Sequence, residues 1–248
     1  MPYWCGACRS YFSVRTNTVL ESSRLPLLKW VYAVYLEVTS LKGVSSMKLH
    51  RDIDVAQSTA WHMLHRIRKA FKNDDPLFSG IVEVDETHFG GRERNKHQSQ
   101  RSGKRGPSGK ATVVGARERS TGRVAAASVP DTTASTLCGF VDTHVGSRAL
   151  LMTDGTHAYS GYNRVVVNHS VGEYVRGMAH TNGIESFWAM LKRAYQGVYH
   201  HISRKHLHRY VGEFASRHNL RPPDTVDQMS TLARGMIGKR LTYAELVA

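Results

Sequence analysis

Cysteine is scarce in this sequence, with three residues in 248. That number is odd and too small for a disulfide framework. Long apolar runs are missing too: the best stretch, Leu27 to Val38, is short and is broken by Lys29 and Glu37. A spanning helix needs about 18–20 apolar residues, so no membrane partner is expected. The opening MPYWCGACRS lacks the basic-then-apolar layout of a secretory signal. Together these absences predict a soluble, cytoplasmic protein. Acidic charge is also short, with 20 Asp and Glu against 34 Lys and Arg, a formal charge of +14. What is present is 41% hydrophobic residues, enough for a real core in one large domain or two small ones. The charge predicts a polyanionic partner, nucleic acid above all.

The charge is uneven. Residues 86–125 hold ten basic and three acidic side chains, and 192–221 hold seven and one. Residues 126–191 hold three and five, and 81–85 add Glu83 and Asp85. Phosphate binding accounts for the basic stretches. A hard divalent cation is one reason for the acidic islands between them.

Four regions are expected along the chain. Residues 1–18 form a Cys-containing fragment. Residues 19–75 form a DNA-binding helical region. Its first helix spans 25–38, with Leu28, Val31, Tyr32 and Tyr35 at helical spacing. Ser45–Arg51, a turn at Asp52–Val55 and Ala56–Ala70 then make a helix-turn-helix, whose stripe is Ala60, Leu64, Ile67 and Phe71. Lys72–Pro76 reads as a linker. Residues 80–221 alternate strands (81–85, 111–118, 123–129, 149–153, 165–169) with helices (133–144, 181–195, 205–219). This pattern predicts an α/β fold, an RNase H-like mixed sheet with flanking helices. Residues 92–110, which include Lys104 and Arg105, read as a basic loop. Residues 222–248 are set apart as a C-terminal extension.

Within the α/β region three acids stand at chemically suggestive places. Asp85 closes the first strand in GIVEVDETHFGG, with Glu83 two residues earlier on the same face. Asp154 follows a later strand in RALLMTDGTHAY, and Glu185 lies early in the helix of HTNGIESFWAMLKRA. Carboxylates brought together repel unless cations sit among them. Two Mg²⁺ ions about 3.5–4 Å apart suit such a set and act on both oxygens of a phosphodiester displacement. Each acid has a plainer reading. Asp85 and Asp154 could be turn aspartates. Asn182 could N-cap its helix, with Glu185 completing a capping box. Trp188 reads as core.

The stretches VEVDETHFGG, MTDGTHAYSGY, HTNGIESFWAMLKRAYQGVYHHIS and EFASRHNLR resemble bacterial insertion-sequence transposases of the ISXO-like DDE type. The resemblance covers nearly the whole chain, to the ending KRLTYAEL. It implies an RNase H-like catalytic domain that cuts element ends and joins them to target DNA. The cofactor it implies is a pair of Mg²⁺ ions, or Mn²⁺, and the assembly a homo-oligomer on double-stranded DNA. Asp85 and Asp154 match the first two acids. The third ligand is Glu185 or, as an alternative, Asn182. Lys192, seven residues after Glu185 and on its helix face, matches the basic residue that follows the third acid and is suited to a DNA phosphate.

Cys5-Gly-Ala-Cys8 is half of a zinc ribbon, and a closed zinc site needs four ligands. The family has a second Cys pair upstream, so the sequence is expected to be truncated or to start too late. Zinc is not expected from this chain alone. Gln57, Ser58, Thr59 and His62 are candidates for reading base edges in a major groove. Two rival readings stand beside transposase: another RNase H-like nuclease such as a junction resolvase, and a DNA-binding regulator with a relic catalytic domain.

Overall fold

A computed structural model describes residues 3–71, 77–91, 95, 97–101, 109–154, 157–166 and 180–248. The linker 72–76 and the loop residues Lys104 and Arg105 lie outside the described residues. The chain divides into two units: 1–73 with 197–200 and 220–248, and 74–196 with 201–219. No helix among the described residues is long and apolar enough to cross a membrane.

The first unit opens with a hairpin, β1 (Tyr3–Cys5) and β2 (Ser10–Phe12), whose turn carries Cys8. Three helices follow: α1 (Leu27–Thr39), α2 (Ser46–Ile53) and α3 (Gln57–Ala70). Ser45 caps α2 by accepting from the Lys48 N–H, and Asp54 ends it in the left-handed region at φ 49°. That single reversal turns the chain into α3 within three residues.

The α3 stripe Ala60, Leu64, Ile67 and Phe71 is buried, as its spacing predicts. In α1 the buried side is the opposite one. Trp30, Ala33, Val34 and Val38 face inward, while Leu28, Val31, Tyr32 and Tyr35 are exposed. The helix is apolar nearly all round, so periodicity alone could not choose a side. The inward side also carries Glu37, fully buried 3.8 Å from the buried Arg68 of α3, a pairing that the spacing of α1 does not show. Residues 222–248, set apart on sequence, belong to this unit. Their helix α7 (Thr225–Arg234) contributes Leu232, and the following turn contributes Met236, to the same core as Trp30, Leu49 and Ile67. A short helix, α8 (Tyr243–Val247), closes the chain with a Thr242–Glu245 capping box.

The second unit is built on a five-stranded sheet. Its strands are β3 (Ile81–Phe89), β4 (Ala111–Glu118), β5 (Val124–Val129), β6 (Leu150–Thr153) and β7 (Arg164–Val166). The spatial order is β5-β4-β3-β6-β7. The first three strands pair antiparallel, whereas β6 joins β3 and β7 joins β6 in parallel. This mixed sheet with flanking helices is consistent with an RNase H-like fold.

Alternation along β3 sets its two faces. Val82 and Val84 point into a core with Leu137, Phe140 and Val141 of α4 (Ala134–His144). Glu83 and Asp85 point to the side covered by α5 (Asn182–Ala194), which packs Ile184, Phe187, Trp188 and Leu191 inward. On the outer edge, α6 (Arg204–Asn219) ends on Asn219. Its side chain donates to Val124 O and accepts from Val124 N on β5 at 2.9 and 2.8 Å, which occupies part of that strand edge.

Candidate active site at the ends of the central strands

The site forms because β6 is short. Its register with β3 is Ile81 to Leu150, Val82 to Leu151 and Glu83 to Met152. Continued by two residues, that register sets Asp154 beside Asp85. Asp85 is therefore not the end of its strand: β3 runs on to Phe89 and pairs with β4 throughout. It is β6 that stops and frees Asp154 to turn toward the neighbouring strand.

One carboxylate oxygen each from Asp85, Glu86 and Asp154 lies within 4.8 Å of the other two. All three side chains are half-buried. Burial pushes the Asp85 carboxyl up to about 6, with the Asp154 and Glu185 charges adding to the rise. Backbone and Trp188 hydrogen bonds pull the other way. Burial likewise pushes Glu86 up to about 7, again with Asp154 and Asp85 adding. The Tyr159 hydroxyl, which donates to Glu86 Oε1, opposes that rise. Tyr159 itself is fully buried. Burial, then Glu86, raises its phenol, so the hydroxyl stays protonated and can donate to Glu86.

Glu86 and Tyr159 are absent from the sequence reading. Strand alternation assigns Glu86 to the opposite face from Asp85, yet at the edge of β6 both carboxylates reach round to Asp154. The Asp-Glu doublet after an apolar strand was the only signal for it.

Trp188 is core, at 3% exposure, but it also works on the site. Its indole N–H donates to Asp85 Oδ2 at 3.1 Å. The ring can come that close because Asp85 is paired with Gly115 on β4. A methyl group there would lie 2.6 Å from the indole.

The start of α5 differs from the capping-box expectation. The N-cap position falls on Thr181, and Asn182 is the first helical residue. The Thr181 hydroxyl donates to Glu185 Oε1 at 2.7 Å instead of capping the backbone. The buried Ile184 N–H of the first turn, which has no acceptor within the helix, is satisfied from outside it, by Glu83 Oε2 at 2.9 Å. Glu185 is solvent-exposed and lies outside the three-carboxylate group, although its charge reaches Asp85. Lys192 is exposed farther along α5, where its charge helps Lys110 to lower His88, after burial.

The four base-reading candidates sit at the start of α3. Gln57 and Ser58 are exposed and Thr59 is half-buried. Gln57 Nε2 donates to Ser46 Oγ at 2.8 Å. His62 is turned away from the others: its Nε2 lies 3.1 Å from Leu241 O, and its ring meets Tyr243 edge-on. Packing within the unit, which the spacing of α3 could not reveal, uses that side chain. Cys5 and Cys8 are free thiols on the β1–β2 hairpin. Hydrogen bonds from the Cys8 backbone and side chain, then from the Ala7 backbone, hold the Cys5 thiol below its ordinary value.

Residues 77–219 match the family model described as ISXO2-like transposase domain. Over 230 residues, 87% of this chain and 77% of the relative, the sequence is 29% identical to an uncharacterized protein in transposable element ISH50 of Halobacterium salinarum. A chain of the simian T-cell lymphotropic virus intasome, solved by cryo-EM with the PP2A regulatory subunit B56 gamma, covers 81% of this chain and 69% of its own length. It does so at 14% identity and a TM-score of 0.26, a likeness too weak to bear on function. The matched segment takes in the whole sheet and every acid of the site, and the chain belongs to the ISXO2-like transposase family.

Proposed function

We propose that this transposase binds insertion-sequence ends and catalyses metal-dependent DNA cleavage followed by strand transfer. The observation that carries the reading is the convergence of Asp85, Glu86 and Asp154 within 4.8 Å. The donors are all carboxylate oxygens, the kind that Mg²⁺ and Mn²⁺ prefer. Two of the three groups are held above their ordinary values by burial and by one another, a penalty that a bound cation relieves. The residues present therefore fit a hard divalent ion.

Two such ions would supply charge stabilisation for an in-line phosphodiester displacement. Asp85 and Asp154 would hold them. Glu185 completes the set from α5, with Asn182 as the alternative ligand. Lys192 binds a DNA phosphate beside them. Trp188 orients Asp85, and Tyr159 orients Glu86. Gln57, Ser58 and Thr59 read the element end from α3, and Lys104 and Arg105 bind phosphates along the DNA. A homo-oligomer brings two ends together.

The test is nicking of a supercoiled plasmid by the full chain, with Mg²⁺ or Mn²⁺ and with chelator. Nicking that needs the ion and is lost in Asp85→Asn and in Asp154→Asn supports the reading. Nicking that persists in either variant removes it.

A further inference from the structure

The strongest unassigned group beside the site is Glu83. It is a fully buried carboxylate one β-strand repeat before Asp85, on the same face of β3. A buried charge is held only where it is paired and hydrogen-bonded, and Glu83 is saturated with partners. Arg119 Nε donates to Oε1 at 2.8 Å, and His180 Nδ1 stands 3.6 Å from the same oxygen. Its other oxygen accepts from the Ile184 N–H at the start of α5. Arg119 also donates to His180 O at 2.5 Å, which ties the residue entering α5 to the end of β4.

The fit is tight. A methyl group at Gly183 would lie 2.6 Å from Glu83 Oε2 and would also collide with Arg117. Glu83 thus occupies the positive end of the α5 dipole and fixes the first turn of that helix against β3. That turn carries Asn182 and Glu185, and β3 carries Asp85.

We infer that Glu83 is a positioning residue of the transposase site. It sets the distance between the carboxylate on β3 and the ligand on α5 by holding the α5 first turn in register with the strand. The inference rests on the metal-dependent reading above, because it assumes a ligand on α5. Glu83 lies outside the Asp85, Glu86 and Asp154 group, and its effect runs through Ile184 and Arg119.

The test is Mn²⁺ binding to the full chain, read by electron paramagnetic resonance, with hydrogen exchange of the Ile184 amide in the metal-free protein. Glu83→Ala removes the acceptor. Mn²⁺ binding should weaken about 10–100-fold, as loss of an outer ligand-orienting partner does, and the Ile184 amide should exchange faster. Glu83→Gln keeps an oxygen for Ile184 and should rescue both readouts in large part.

A folded Glu83→Ala with wild-type Mn²⁺ affinity overturns the inference. So does a lowered melting temperature, in either Glu83 variant, without a change in Mn²⁺ binding. If Glu83→Ala does not fold, Gly183→Ala keeps the carboxylate but pushes the helix start off it. It should show the same weakened binding, and wild-type affinity there overturns the inference equally. Asp85→Asn separates the two levels. If it binds Mn²⁺ like the wild type, the metal reading itself is at fault. If it loses the ion while Glu83→Ala keeps it, only the positioning role is.

Discussion

Trp188 on α5 donates its indole N–H to Asp85 on β3, across a gap left open by the glycine at 115. One side chain thus fills the core and orients a site carboxylate. Trp188→Phe should keep most of the packing but lose the donor. Because that bond lowers Asp85, its loss should raise the carboxyl further above about 6 and move Mn²⁺ binding to higher pH. The expected destabilisation is about 1–3 kcal/mol, from a lost hydrogen bond to a charged group. Gly115→Ala should cost a similar ~1–3 kcal/mol through overpacking. Thermal melts with pH-resolved Mn²⁺ titrations check both, and an unshifted titration in Trp188→Phe contradicts the orienting role.

The third ligand is decided by a pair of variants. Glu185→Gln keeps the size of the side chain and an acceptor for Thr181, but removes the charge. It should abolish Mg²⁺-dependent cleavage with little effect on melting temperature. Asn182 makes no N-cap in the structure, so Asn182→Ala is a mild change to the helix and should leave much of the activity. Normal cleavage by Glu185→Gln together with a folded but dead Asn182→Ala reverses the assignment.

Glu185 also shows where the sequence was legible and where it was not. The apolar spacing of Ile184, Phe187, Trp188 and Leu191 gives α5 and its buried face directly, because period and burial coincide there. The strands and their alternation were equally plain, except that β3 runs on past Asp85 to Phe89, and the approach of Asp154 to Asp85 follows from the β3–β6 register. What the sequence could not show depends on contacts between distant elements. Glu83 was visible only as a neighbour of Asp85, and its bond to Ile184 spans 101 residues. Glu86 was hidden by strand alternation, which breaks down where β6 ends. In α1, a helix apolar on both sides, the buried side is the one that packs Trp30, Ala33, Val34 and Val38 and pairs Glu37 with Arg68, contacts that periodicity does not show.

The acidic site makes stability depend on pH and metal together. Asp85 rises from 3.8 to about 6 and Glu86 from 4.5 to about 7. For carboxyls raised by folding, the stabilisation is complete below the unfolded values, near 4, and is lost as pH rises through about 6–7. The metal-free protein should therefore melt lower at about pH 8 than at about pH 5 by this contribution. Excess Mg²⁺ should offset the loss at the higher pH, because it binds the charged forms. Melting temperatures across that range, with Mg²⁺ and with chelator, check this. A Mg²⁺ effect equal at both ends contradicts it.

DNA affinity should be steeply salt-dependent. Residues 86–125 and 192–221 carry seventeen basic side chains between them against four acidic ones. If about 6–10 phosphates are contacted, binding should fall roughly 10³–10⁵-fold between about 50 and 200 mM salt. Fluorescence anisotropy with a labelled duplex measures the slope, and a flat titration removes the phosphate-binding role of these segments. Lys104→Ala with Arg105→Ala should reduce the slope by about 2.

The most direct measurement of the central claim is product formation on DNA. The full chain is incubated with Mg²⁺, a linear duplex carrying the element's own ends, and a supercoiled target plasmid. Wild type should cleave at the ends and join the freed 3′ ends to the target. Asp85→Asn and Asp154→Asn should bind the same duplex with unchanged affinity and yield neither cleaved nor joined DNA. Joined products from either variant, or formed by the wild type in chelator, would contradict the account.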